Sequence, residues 1–151
     1  MVGEWLAAAK RPEVQEAIET IHEDLAQSVR QFKPLCLASG ECCKFDAFEH
    51  RLYATGLEAA RCVLLAPAIA LEDLHRATND GTCPWQEGRL CTAREGRPVG
   101  CRVFFCDPRA KEWVPERAEW AHGAIKALHE QFDIPYAYSE WRAILGQFFI
   151  A

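Results

Sequence analysis

Residues 83–106 read CPWQEGRLCTAREGRPVGCRVFFC, with cysteines at 83, 91, 101 and 106. The first nine residues suggest a small hairpin turning at Glu87-Gly88. A second stretch, CLASGECCKF at 36–45, places Cys36, Cys42 and Cys43 within eight residues. The spacings are Cys36-x5-Cys42-Cys43 and Cys83-x7-Cys91-x9-Cys101-x4-Cys106, with Cys62 standing alone between the groups. This middle region does not look able to pack by apolar burial alone, so something else must tie it down.

The flanking segments are helical in pattern. Pro12 suits a first helical turn. Val14, Ile18, Ile21, Leu25, Val29 and Phe32 then recur at steps of three and four, one apolar stripe on a helix over about 12–32. Lys33-Pro34 ends it. RLYAT at 51–55 can be a short strand. Thr55-Gly-Leu-Glu58 is a capping box, in which hydroxyl and carboxylate each satisfy an unpaired N–H, and it should open a helix reaching about Leu65. A shorter helix is expected over about 68–77, before the turn Asn79-Asp80-Gly81. Pro115 should open a helix with Ala121, Ile125, Leu128 and Phe132 on one face. Ser139 can cap a last helix bearing Trp141, Ile144, Leu145 and Phe148.

The expected fold is therefore mainly α. It is a single small domain, 1–151, of helices around an irregular cysteine-rich metal centre with a short β-hairpin. The cysteine-rich segment, 36–106, lies between an N-terminal helix (about 12–32) and C-terminal helices (about 115–150).

At 151 residues the chain can bury a core without staples. Its formal charge of −5 argues against a dedicated nucleic-acid binder. No apolar run approaches the length a membrane helix needs. The N-terminal stretch lacks the basic start of a secretory signal, so a cytoplasmic location is expected. In a reducing cytosol, clustered thiols hold metal or do redox chemistry more often than they form disulfides. Four disulfides and buried unmodified thiols stand as rivals.

Thiolates favour zinc, copper(I) and iron–sulfur clusters. Several of them at one centre need compensating positive charge. Between Cys83 and Arg109 lie Arg89, Arg94, Arg97, Arg102 and Arg109, against Glu87, Glu95 and Asp107. That excess of arginines sits in a chain that is acidic overall. A solvated arginine loop is the plainer reading, but arginine is well suited to donating N–H bonds around a thiolate shell. Only Cys101-x4-Cys106 has zinc-knuckle spacing, and the irregular intervals also suit loops wrapped around an iron–sulfur cluster. The metal is therefore zinc or iron, the latter up to a 4Fe-4S cluster.

CLASGECC, CPWQEGRLC and REGRPVGCRVF together resemble the cysteine-cluster family often called YkgJ-type, described as a zinc- or iron-chelating domain. That family's pattern is C-x2-C-x2-C-C, then Cys-Pro, a cysteine after a short hairpin, and Arg-Pro-x2-Cys-Arg. The resemblance covers roughly 36–106. Cys36, Cys42, Cys43, Cys83, Cys91 and Cys101 fall on its cysteines, and Pro84, Arg97, Pro98 and Arg102 on its flanking residues. Ser39 stands where the family has its second cysteine. A flagellin lysine methylase carries a similar pattern, which keeps an enzyme open, with catalytic residues unknown.

The expected metal ligands are thus Cys36, Cys42, Cys43, Cys83, Cys91, Cys101 and Cys106, with Arg97 and Arg102 bonding around them. Cys62 lies outside the family pattern and suits a small buried thiol. The rival reading makes it the eighth ligand of two four-thiolate sites. Among five histidines His50 is the spare ligand expected, and His122 and His129 share a helix face in ordinary roles. There is no H-E-x-x-H, P-loop, G-x-S-x-G or G-x-G-x-x-G. The function expected is metal binding through clustered cysteines. The alternatives are an iron–sulfur redox or protein-modifying enzyme and a disulfide-stapled structural domain. The partners expected are the metal ion and a protein partner, with neither nucleic acid nor membrane.

Overall fold

The computed structural model describes residues 1–33, 52–88, 90–103 and 112–149. It is mainly helical, with small two-stranded sheets. The helices are α1 (Val2–Ala9), α2 (Pro12–Phe32), α3 (Gly56–Leu65), α4 (Leu71–Asp80), α5 (Val99–Val103), α6 (Trp113–Gln131) and α7 (Trp141–Gly146). The strands are β1 (Tyr53–Thr55), β2 (Gln86–Glu87), β3 (Leu90–Cys91) and β4 (Tyr138–Glu140).

α2 follows the expected stripe. Val14, Ile18, Ile21 and Leu25 are its buried residues. It stops at Lys33, whose left-handed backbone (φ 53) turns its N–H onto the Val29 carbonyl at 2.8 Å. α6 buries Ala121, Ile125 and Leu128 as expected, together with His129. Phe32 of α2 stacks on Trp113 at the start of α6, ring centroids 5.0 Å apart.

α1 was not evident in the sequence, which shows only a short apolar patch there. It forms because Trp5 is a deep anchor. The indole is fully buried and donates from Nε1 to the Pro135 carbonyl at 2.8 Å. α1 lies on α3, and the contact is possible because Gly56 has no side chain: a Cβ there would fall inside the Trp5 indole.

β1 pairs antiparallel with β4, Ala54 opposite Ser139. This pairing joins segments more than eighty residues apart, and the sequence shows only the first of them. It also moves the cap of the last helix. Ser139 is spent in the strand, and Glu140 caps α7 instead, its carboxylate accepting from the Ala143 N–H at 3.0 Å. The helix expected over about 68–77 lies at Leu71–Asp80. Asp73 accepts from the Ala70 N–H at 2.8 Å, half a capping box that begins the helix later. Gly81, at φ 72, closes it with a left-handed cap.

The expected hairpin is β2–β3, with Gln86 opposite Cys91 and Gly88 in the left-handed region at φ 61. The core runs from Trp5 to Leu145 through α1, α2, α3, α6 and α7, and it includes Cys62 and Cys83. No described helix is long and apolar enough to cross a membrane.

Replacing Gly56 by Ala should destabilise the fold, although alanine is ordinarily the better helix former. The fully buried Trp5 ring cannot yield, and overpacking of this kind costs about 1–3 kcal/mol. A lowered thermal midpoint for G56A checks this; an unchanged or raised one would show that α1 is loosely held.

Candidate metal centre

Four of the eight cysteines lie in the described residues, each delivered by a different device. Cys62 sits on α3, fully buried. Cys83 follows the turn that closes α4 and is buried too. Its carbonyl accepts from the Gln86 N–H at 3.1 Å, which starts the hairpin. Cys91 ends β3, and Thr92 fastens that end by donating its N–H and hydroxyl to the Trp85 carbonyl at 2.9 and 2.7 Å. Cys101 lies on the short helix α5.

All four line one cavity of about 30 Å³, together with Trp85, Arg94, Arg97 and Trp141. That volume holds a water or a small ion. A 3-10 turn at Arg94–Gly96 lies directly on α3. Gly96 permits the approach, because a Cβ there would stand 3.0 Å from the Cys62 Cα and 3.4 Å from its Sγ. Burial pushes the Cys62 thiol up, and the nearby Cys83 and Cys91 push it further in the same direction. Trp141 is almost wholly buried, yet its indole N–H has no acceptor among the described residues.

A knot of arginines supports this loop. Arg102 donates from Nε to the Arg97 carbonyl at 2.8 Å and from Nη2 to the Glu95 carbonyl at 2.7 Å. Arg61, one residue before Cys62, donates to the same Glu95 carbonyl at 2.9 Å. Arg97 donates to the Arg94 carbonyl at 3.0 Å. Burial and the repulsion of Arg97 and Arg61 bring Arg102 down to about 10, while Cys101 and Glu58 act the other way. Sequence reasoning singled out Arg97 and Arg102 but missed Arg61, whose only signal was its place beside Cys62.

Glu58 was also missed in its larger role. Its carboxylate completes the expected capping box with Thr55, accepting from the N–H at 3.0 Å and the hydroxyl at 3.2 Å. It also accepts from the Val99 N–H at 2.8 Å, at the start of the helix that carries Cys101. Burial pushes its carboxyl above the usual carboxylate range, against the pull of those bonds and of Arg102.

Cys36, Cys42, Cys43 and Cys106 lie outside the described residues, as do Ser39, His50, Arg89 and Arg109. As they stand, no three His, Cys, Asp or Glu side chains among the described residues are grouped closely enough to hold one ion. The donor chemistry nevertheless suits a soft metal: four cysteines line one space, with arginines in its wall and a buried N–H donor that has no acceptor among the described residues. His122 and His129 lie on α6, away from this cavity. His122 Nε2 meets the Tyr136 hydroxyl at 3.1 Å, and His129 Nδ1 meets the Pro135 carbonyl at 3.0 Å. Among known proteins the chain matches no family model, no curated protein and no solved structure, so the cysteine-cluster resemblance rests on its motif residues alone.

His22 of α2 faces the same arginines. Burial, followed by the charges of Arg102, Arg61 and Arg97, holds it down at about 3 from an ordinary 6.5. The folded state thus resists the proton that the unfolded chain accepts. Stability from His22 is full above 6.5 and is lost as pH falls toward about 3. Glu58 runs the other way, because its raised folded value makes its contribution fullest below 4.5 and lost as pH rises through that raised value. The thermal midpoint of the wild type should therefore fall more steeply than that of H22Q between pH about 6.5 and 4. Parallel curves would mean that His22 is solvated and titrates normally.

Proposed function

We propose that the protein binds a soft metal, zinc or iron, through clustered cysteine thiolates. The observation that carries this reading is the cavity on which Cys83, Cys91 and Cys101 meet, with Arg94 and Arg97 in its wall. Metal-bound thiolates are anionic, and these guanidiniums offset that charge at short range. The indole N–H of Trp141, which has no acceptor among the described residues, supports the same reading, since a thiolate sulfur can accept from it. The cavity is small, which favours a single ion over a four-iron cluster. The resemblance to the cysteine-cluster family adds Cys36, Cys42, Cys43 and Cys106 as further ligands. A cytoplasmic setting, where thiols stay reduced, belongs to the same proposal.

Elemental analysis and a visible spectrum of protein purified without oxygen test it. Bound zinc with a colourless solution, or bound iron with absorption near about 400 nm, is the expected result. Replacing Cys83 by Ser should remove metal and lower the thermal midpoint. A wild-type protein that holds neither metal, even after anaerobic reconstitution, would defeat the reading.

A further inference from the structure

The guanidiniums of Arg61, on α3, and Arg102, on α5, meet at a single atom. Both donate to the Glu95 carbonyl, at 2.9 and 2.7 Å. Sharing one acceptor oxygen holds the two donor nitrogens within about 6 Å of each other. Arg97 is tied into the same knot. Its carbonyl accepts from Arg102 Nε at 2.8 Å, and its own Nε donates to the Arg94 carbonyl at 3.0 Å. His22 joins from α2, which packs on α5. Its Nε2 is buried and has no hydrogen-bond partner among the described residues. Burial and the charges of Arg102, Arg61 and Arg97 keep its ring neutral. We propose that His22, Arg61, Arg97 and Arg102 form a binding site for a phosphate group. The proposal does not rest on the metal-binding reading above.

Three guanidiniums gathered in this way repel one another. Their bonds to backbone carbonyls orient them without cancelling their charge. Glu19, Glu58 and Glu95 act on Arg61 electrostatically, and Glu58 and Cys101 act on Arg102. None of these carboxylates forms an ion pair with the three arginines among the described residues. Glu58 spends its oxygens on Thr55 and Val99 instead. Donors are also in excess. A guanidinium has five N–H groups, and the carbonyls engage one of Arg61, one of Arg97 and two of Arg102. All three arginines and His22 are half-buried, so a ligand can reach them from solvent while part of their surroundings is dry. A carboxylate fills one guanidinium fork. A phosphate has more oxygens and more charge, and so suits donors that converge from several arginines. The neutral imidazole can donate one N–H to a phosphate oxygen, and an arriving anion makes its protonation easier.

The test titrates the full chain by calorimetry with inorganic phosphate and, separately, with a phosphate monoester. Acetate, and chloride at matched ionic strength, are the controls. One saturable phosphate site is expected, with acetate at least about tenfold weaker. Tighter binding of the monoester identifies an esterified ligand, and tighter binding of the inorganic ion identifies free phosphate. The His22 ring resonances should move as phosphate is added. Arg61→Gln should weaken phosphate at least about tenfold and leave the metal-to-protein ratio unchanged, with far-UV circular dichroism confirming its fold. Should that variant fail to fold, His22→Gln takes its place, with weaker phosphate binding expected. A wild type that shows no saturable phosphate binding, or that binds chloride equally well, overturns the proposal. So do Arg61→Gln or His22→Gln proteins that bind phosphate as the wild type does. A loss of metal in Arg61→Gln with phosphate affinity intact would show that the arginines serve the thiolate centre instead.

Discussion

The carboxylate of Glu58 is the constraint on which the cysteine-rich half of the described structure depends. Taking a carboxylate out of water is expensive unless donors replace the lost hydration. Glu58 has three such bonds: the Thr55 N–H, the Thr55 hydroxyl and the Val99 N–H. The first two begin α3, and the third begins α5. One buried side chain thus aligns the helix bearing Cys62 with the helix bearing Cys101. Truncating it would strand two backbone N–H groups in the interior, and leaving a buried donor unsatisfied costs about 1–3 kcal/mol.

From that joint the rest of the site follows by contact. α3 can receive the Arg94–Gly96 turn because residue 96 is glycine. That turn offers the Glu95 carbonyl to two guanidiniums at once, from Arg61 and Arg102. The hairpin brings Cys91 back toward Cys83, and Trp85 between them is held by a bond from its indole N–H to the Pro67 carbonyl at 2.8 Å. Trp85 meets Trp141 with ring centroids 6.0 Å apart, which joins the cysteine loops to the C-terminal helix. The thiols and arginines therefore occupy a region anchored on three sides by buried aromatic or charged groups.

The elements legible in the sequence are those set by neighbours along the chain. The stripe from Val14 to Leu25, the Thr55–Glu58 box, the Gly88 turn and the apolar face of α6 each need only a few consecutive residues to be recognised, and each is present. What was missed depends on distant partners. α1 exists because Trp5 finds Gly56 and Pro135, and nothing in residues 2–9 reveals that. β4 forms because β1 offers an edge, and the capping role passes from Ser139 to Glu140 as a consequence.

The same division holds for the site. Sequence alone determined that the protein is mainly helical and that its middle region carries thiols and arginines in excess. Only the tertiary structure decided that Cys62 lines one cavity with Cys83, Cys91 and Cys101, that Arg61 shares the Glu95 carbonyl, and that Glu58 reaches Val99. The physical reason is that spacing along a chain encodes local hydrogen bonds and helix faces. The meeting of residues 62 and 96, or 58 and 99, is decided by how helices pack, through the absence of one side chain at Gly96 and the need of one buried carboxylate for donors.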